Sequence, residues 1–527
     1  MRSKRALLGI LLVVLLVFGL SAYRRSASDL ALKLRVLNEV LLLVREKYVE
    51  EVSPSELMEG AIEGLLEKLD PHSEYQSPEE RARMTERLRG DYEGIGIAFE
   101  VRKGILTVIS PIEGGPSYKL GIKAGDQIVK IDGRSAVGIK EREVFERLRG
   151  PKGTKVHVSI RRAGVDSLLE FTIVRDRVPI RSVPYAYMLR PSIGYVRITR
   201  FGSRTGEELE VALDSLEAKG MQKLLLDLRA NAGGLLTAAI EVAEKFLPKG
   251  YVVTYTKGRD PGVNEQYVAE AELDELHPYY PIIVLINHGS ASASEIVSGA
   301  LQDWDRALIV GQRSFGKGLV QHQFPLSDGG ALLLTVARYY TPSGRLIQRP
   351  YAEESRLAYF REAFQREEEP DTTRPAFFTK RLRRKVYGGG GIWPDLVLKP
   401  EYLDTLETKL YLERMFLDFA EHYVGEHGEF PGTLENFLKG YEISDEVLME
   451  FLSFAEGQGV PVSEDALEAY RDFLGTHIKA ALAGRIWGDY ARYRVALEGD
   501  REVWRAVEHF DEAEALLREA GYLGGRG

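Results

Sequence analysis

Three short segments carry residue types that can do chemistry. Asn287-His288-Gly289-Ser290-Ala291-Ser292-Ala293-Ser294-Glu295 follows an apolar run at 281–287 and opens a helical pattern at 292–304. Small residues there let a backbone and a ligand approach closely. A helix N-terminus also offers free N–H groups and a favourable dipole to a developing oxyanion. A serine in this position is placed to act as a nucleophile; a serine-rich helix cap is the plain alternative. Ser314-Phe315-Gly316-Lys317-Gly318 follows a second apolar run at 306–311. Its glycines let the chain bury the lysine stem. A serine nucleophile needs a base, and lysine serves if desolvation makes the neutral amine available. A solvated turn lysine is the bland reading. Asp227-Leu228-Arg229-Ala230-Asn231-Ala232-Gly233-Gly234 stands at a third strand end. Two glycines there can aim N–H groups at a ligand, although a plain turn between strand and helix would look the same.

Other chemistries fit less well. Ser314-x-x-Lys317 matches the S-x-x-K element of penicillin-recognising enzymes, but Ser327-Asp328-Gly329 completes the S-D-N element only in part and no K-T-G is present. His288 and His322 lie near the serines in sequence, yet no G-x-S-x-G elbow and no H-E-x-x-H accompany them. The sequence has no cysteine. Disulfides, thiolate metal sites and a cysteine nucleophile are therefore excluded.

Taken in chain order, DLR turn, serine segment and lysine segment, the three resemble the carboxyl-terminal processing, or tail-specific, proteases, a family of serine endopeptidases. The resemblance spans about residues 30–400. It is carried further by LDPHSEY (69–75), GALQD (299–303), ARYYTPSGR (337–345) and YGGGGIWPD (387–395). In the DLR turn, Ala232 stands where the family commonly has proline. The resemblance implies that Ser292 is the nucleophile, that Lys317 is its base and that Gln321 orients the amine. It implies an oxyanion hole from the Ala293 N–H and one of Gly233 or Gly234. Glu295 and Asp303 are read as supporting residues. No metal or cofactor is expected.

The resemblance also implies an inserted PDZ domain. Gly94-Ile95-Gly96-Ile97 looks like its carboxylate-binding loop, and SPIEGGPSYKLGIKAGDQIVKIDG (110–133) strengthens that reading. A peptide tail would add as a strand beside 97–101. The 140–149 helix would form the other groove wall, with Val144 and Leu148 as pocket residues.

These residues must be positioned by a chain of 527 residues. Hydrophobic residues make up 44% and charged residues 28%, which fits a globular protein of several domains. The net charge of −9 argues against general nucleic-acid binding. Residues 6–23 carry no charge and are flanked by Arg2, Lys4, Arg5, Arg24 and Arg25. That length favours a retained signal anchor over a cleaved signal peptide. Residues 30–69 read as helical, with Leu37, Val40, Leu41 and Val44 at helical spacing. From 91 to 175 short β-rich runs are split by Gly, Pro and Asp turns. Apolar runs at 193–198, 223–228, 281–287, 306–311 and 331–340 then alternate with helical patterns at 206–219, 234–247 and 292–304. Residues 352–385 read as a charged excursion whose basic stretch 380–385 is a solvated edge. Beyond 400 the pattern is helical again, with one stripe at Leu412, Phe416, Phe419 and Tyr423.

The expected architecture is thus an α/β protease core, crotonase-like by the resemblance, with an inserted mainly-β PDZ domain and helical N- and C-terminal regions. The expected division is 1–26 anchor or signal, 27–90 helical, 91–175 PDZ, 176–400 protease core and 401–527 helical. The expected activity is that of an exported serine endopeptidase reading C-terminal tails of proteins. It would be held at the membrane through 6–23, in the cell envelope, with a second copy or an adaptor as a possible partner. The rival is a catalytically silent, membrane-tethered PDZ scaffold.

Overall fold

The computed structural model describes residues 29–272, 276–351, 355–365, 373–400, 402–462 and 464–523. The anchor segment 6–23 lies outside them. Among the described residues no helix is long and apolar enough to cross a membrane.

The three candidate segments hang from a six-stranded sheet in the order Tyr185–Arg190, Ile193–Arg197, Lys223–Asp227, Ile282–Ile286, Leu308–Gly311 and Leu396–Val397. The first pair is antiparallel and the rest run parallel. Ile282–Ile286 and Leu308–Gly311 are buried throughout, as continuous apolar runs require of strands covered on both faces. Helices Thr205–Glu217, Leu236–Glu244 and Ala293–Asp303 cover one face, where Leu209, Leu213, Val242, Val297 and Leu301 meet Leu224, Leu226, Val284 and Ile309. Helices Arg501–Val507 and Phe510–Glu519 cover the other, packing Val503, Phe510 and Leu516 on Tyr195, Leu225, Ile283 and Val310. The last helices of the chain therefore complete the layering of the core.

The apolar run 331–340 does not join this sheet. It pairs with Glu74–Gln76, Val252–Gly258 and Leu319–Pro325 in a second, antiparallel sheet. Its interior positions are only half-buried, as a sheet with one open face allows.

The β-rich insert is a six-stranded antiparallel sheet with Ile97–Arg102 at one edge and helix Glu141–Leu148 beside it. Val144 and Leu148 are buried in its core with Ile95, Ile97, Leu106 and Val158. A ribbon of Asp91–Gly94 paired with Asp176–Pro179 leads into and out of it.

Two readings from sequence need correction. Leu412 does not share the stripe of Phe416 and Phe419. The chain turns at Arg414, with φ +58°, so Thr405–Leu412 and Met415–His427 are separate helices and Leu412 is 77% exposed. The basic stretch 380–385 is a solvated edge only in part: Lys380, Arg381, Arg383 and Lys385 are exposed, but Arg384 is half-buried and the stretch is tied down. Arg384 donates to Asp305 Oδ1 at 2.7 Å and Asp395 Oδ1 at 2.6 Å, and Arg381 reaches the Ala520 carbonyl. The surrounding excursion carries a helix, Arg356–Glu362, that brings Tyr359 into the interior.

Candidate active site

Ser292 stands between strand Ile282–Ile286 and helix Ala293–Asp303. Its backbone takes φ +54°, ψ −112°, a conformation that costs an L residue on the order of 1–3 kcal/mol and persists only where its surroundings impose it. The constraint is Glu295. Its Oε2 accepts the Ser292 N–H at 2.8 Å and the Lys317 N–H at 2.9 Å. Its Oε1 accepts the Gly316 N–H at 2.7 Å and the Ser314 hydroxyl at 2.5 Å. Burial raises this carboxyl's pKa and the four hydrogen bonds pull it back. Tyr339, from the long antiparallel strand, closes the other side: its hydroxyl donates to the Lys317 carbonyl at 2.7 Å and the Ser292 carbonyl at 3.1 Å. One carboxylate and one phenol thus fix the serine and lysine segments to each other.

The Lys317 amine donates to Gln321 Oε1 at 2.6 Å. Among the described residues no hydrogen bond joins it to the Ser292 hydroxyl. Burial pushes the amine's pKa below the usual 10.5, against the opposing charges of Glu74, Asp70 and Glu295. Gln321 is oriented in turn, because its Nε2 donates to the His72 carbonyl at 2.6 Å. His72 lies in LDPHSEY, whose Asp70 accepts the N–H groups of His72 and Ser73 and the Thr335 hydroxyl. Burial pushes the His72 imidazolium down to about 3, with the Lys317 charge adding to the effect. Its Nε2 meets the Tyr359 hydroxyl at 3.1 Å, and Gln348 Nε2 donates to that same hydroxyl.

The Gly233-Gly234 turn lies against the serine. A Cβ on Gly233 would fall 2.8 Å from Ser292 Cβ and 2.9 Å from the Ala293 nitrogen; one on Gly234 would fall 2.0 Å from the Phe201 carbonyl oxygen. Both glycines have positive φ, +96° and +151°. The Gly233 N–H donates to Asn231 Oδ1 at 2.9 Å, whereas among the described residues the Gly234 N–H has no partner. Asn231 is itself buried, its Nδ2 on the Ile198 carbonyl.

The other candidates occupy structural positions. Ser314 is fully buried, bridging Glu295 and the Ile392 N–H at 2.6 Å. His288 is buried, with Nδ1 2.9 Å from the Arg313 carbonyl, and His322 is exposed. Asp303 accepts the Ser343 N–H at 2.7 Å and pairs with the buried Arg345. Gln302 donates to the Trp393 carbonyl at 2.8 Å, so three of the sequence signatures meet at one place. His72, Tyr339, Gln348 and Tyr359 were given no role from sequence. Two of them sit inside quoted signatures, but nothing in a linear string shows that those signatures touch Gln321 and Ser292.

In the insert, the Gly94–Ile97 loop, the edge strand and the helix enclose a small groove lined by Ile95, Ile97, Phe99, Val144 and Leu148. Gly96 has φ +77°, which turns the loop toward that groove. Arg149 stands at its mouth, 4.7 Å above the Tyr92 ring and paired with Glu86. A free strand edge beside an apolar groove can take an extended peptide as an added strand.

Residues 192–353 match peptidase family S41, 107–162 match the PDZ domain, and 20–80 match the activating protease CtpB N-terminal domain. Residues 406–488 match a family of unknown function. The chain is 42% identical over 338 residues to the carboxy-terminal-processing protease of Bartonella bacilliformis, covering 63% of this chain and 77% of that one. It is 37% identical over 327 residues to the carboxy-terminal processing protease CtpA of Bacillus subtilis, covering 62% and 69%. It is 40% identical over 311 residues to the carboxyl-terminal-processing protease of Synechocystis, covering 57% and 71%. With the signature segments gathered at one half-buried serine and lysine, this likeness shows that the chain belongs to the carboxy-terminal processing proteases of peptidase family S41, serine-type endopeptidases, and carries a PDZ domain.

Proposed function

We propose that the protein cleaves exported polypeptides whose free C-terminal tails it holds in its PDZ groove, by a Ser–Lys mechanism. Neutral Lys317 takes the proton from Ser292 as the serine attacks the scissile carbonyl. The Ala293 N–H and one N–H of the Gly233-Gly234 turn stabilise the oxyanion. Lys317 returns its proton to the leaving amine, and water then releases the acyl group from Ser292. Because the amine rests on Gln321, it must swing from that oxygen toward the serine as substrate arrives, while Gln321 keeps it oriented. In this mechanism Gly234 offers the open N–H, and Gly233 must release Asn231 to contribute. The observation that carries the reading is the buried, pKa-lowered amine beside a serine whose backbone Glu295 and Tyr339 tie to the lysine's own.

The wider setting belongs to the same proposal. We read the layered sheet as the crotonase-like core that the family resemblance implies. Residues 6–23 hold the chain at the membrane with its catalytic part exported. Helix 29–47 leaves Leu30, Leu34 and Leu37 exposed on one side, an apolar face suited to a second copy of the chain.

The test compares residues 27–527 with its Ser292→Ala, Lys317→Ala and Ser314→Ala variants on unfolded proteins that differ only in their last residues. Ser292→Ala and Lys317→Ala should lower the cleavage rate by roughly 10⁴-fold or more. Ser314→Ala should keep a reactive serine. Cleavage by Ser292→Ala at the parent rate would end the nucleophile assignment. A parent that binds tails and cleaves none would favour a peptide-binding scaffold.

A further inference from the structure

The sheet face covered by the last helices holds charges that the proposed reaction does not use. Arg229, in the DLR turn, is 9% exposed. Its Nε contacts both oxygens of the fully buried Asp227 at 3.1 Å. Its Nη2 donates to Asp227 Oδ2 and Asp500 Oδ2, each at 2.7 Å. Its Nη1 donates to Glu502 Oε2 at 2.7 Å and Asp500 Oδ1 at 3.2 Å. Glu502 has a second bond: its Oε1 accepts Gln312 Nε2 at 2.7 Å. Gln312 opens the loop that carries Ser314 and Lys317, and its own N–H is on the Ile286 carbonyl at the end of the nucleophile strand.

We infer that Asp500 and Glu502 are positioning residues for proteolysis, clamping the oxyanion turn and the lysine loop to each other through Arg229 and Gln312. The inference rests on the Ser292–Lys317 reading. Three residues separate Arg229 from Gly233. Between them Ala230 takes φ +55°, and its N–H is on Asn287 Oδ1, the oxygen that also accepts the Gly289 N–H. A turn at positive φ holds its aim only while its ends are fixed. Asp227 satisfies one edge of the guanidinium, and the other edge is satisfied from the C-terminal segment alone. Asp500 also caps helix Arg501–Val507, so the clamp is built into the element that supplies it. Residues 489–523 lie outside all the family matches above. The clamp gives them a part in the reaction besides covering the sheet.

The experiment uses the full chain with Glu502→Gln, Asp500→Asn and both together. Tyr490→Phe serves as the control, since Tyr490 binds the Ala186 carbonyl in the same layer without touching Arg229. Steady-state cleavage of a tailed peptide, tail-peptide affinity, thermal midpoint and labelling of the serine by a phosphonate probe are measured. The proposal expects kcat to fall about 10-fold in Glu502→Gln and about 100-fold in the pair, with serine labelling slowed in parallel. KM and tail affinity should stay within about two-fold, as expected when an interaction specific to the transition state is lost. Parent-like kcat in Glu502→Gln and in the pair overturns it. A loss matched by Tyr490→Phe at equal thermal destabilisation also overturns it, because the effect is then stability alone. If the pair does not fold, Glu502→Gln decides by the same criteria. Ser292→Ala is run alongside: if it is inactive while the clamp variants are normal, only the clamp fails. If it still cleaves, the nucleophile reading fails first and the clamp with it.

Discussion

Lys317 is the residue whose chemistry depends most on its burial. A lysine amine free in water is protonated near neutral pH and is a poor base. Here burial holds its pKa below 10.5, although three carboxylates work in the opposite direction. Two consequences follow with definite signs. In the proposed mechanism the neutral amine is the active form, so kcat/KM should rise with pH along a limb centred below about 10.5. A limb at or above that value would exclude Lys317 as the base. For stability, the folded chain binds fewer protons than the unfolded chain between the lowered pKa and 10.5. Folding stability from this group therefore rises as pH increases through that window, and below it the penalty of burying the charge is felt in full. Lys317→Met should abolish cleavage and yet stabilise the fold at neutral pH by on the order of 1 kcal/mol. That gain should shrink as the pH approaches 10.5, as thermal unfolding across pH would show. The meeting of Lys317 with Gln321 was legible in the sequence because the spacing of the family's motifs marks both. The His72 carbonyl was not, because a backbone group leaves no residue-type signal.

The elements place these residues through backbone geometry as much as through side chains. Gly234 cannot accept a Cβ: its φ is +151° and the Phe201 carbonyl oxygen occupies the space. The bridge it makes with Phe201, in which Phe201 donates to the Gly233 carbonyl and accepts the Leu235 N–H, holds the Gly233-Gly234 turn to the adjacent loop. Gly234→Ala must break that bridge. We expect a loss of at least about 10²-fold in kcat, together with about 2 kcal/mol or more of stability. Equal kinetics for the variant and the parent would mean that the turn takes no part in catalysis. Four strands of the parallel sheet were legible because each is a continuous apolar run bounded by turn residues, whereas Leu396–Val397 is too short to leave a pattern. The run 331–340 has similar composition, yet it lies in the other sheet. Local pattern reports burial and period, whereas the pairing partner is decided by segments as distant as 74–76 and 252–258. The break at Arg414 escaped for a related reason. A helical stripe remains in phase on paper across a single residue at positive φ, which no composition signal marks.

At the scale of the whole molecule, the helical segment 405–496 has its own core, built on Phe416, Phe419, Phe451, Leu474 and Ile478, and it abuts the PDZ domain. The contact is mostly ionic: Arg102 pairs with Asp418 at 2.8 Å and Glu413 at 3.1 Å, Arg414 with Glu100, and Lys123 with Glu429. Ion pairs this exposed are worth little singly and weaken with salt, so they set orientation more than strength. Glu421 differs from them. It is turned toward Gly125, where a Cβ would lie 2.9 Å from its carboxyl carbon, and burial raises its pKa to about 7. Asp418 and Asp126 push the same way, while Arg485 and Arg414 oppose. The folded value exceeds the unfolded one, so the favourable contribution is complete below about 4.5 and is lost as pH rises through 7. The PDZ domain should therefore sit more firmly on the helical segment at pH 5 than at pH 8. Glu421→Gln should remove the difference and tighten the contact at pH 8 by on the order of 1–2 kcal/mol, allowing for solvent at the interface. Hydrogen exchange at 106–110 and 417–424, read at both pH values, measures the docking directly. Protection that falls from pH 5 to pH 8 in the parent and stays level in Glu421→Gln would establish the carboxyl as the pH-sensitive part of the contact. The same fall in both chains would show that Glu421 is not the pH-sensitive group of the contact, and a salt series would then read what the peripheral ion pairs contribute.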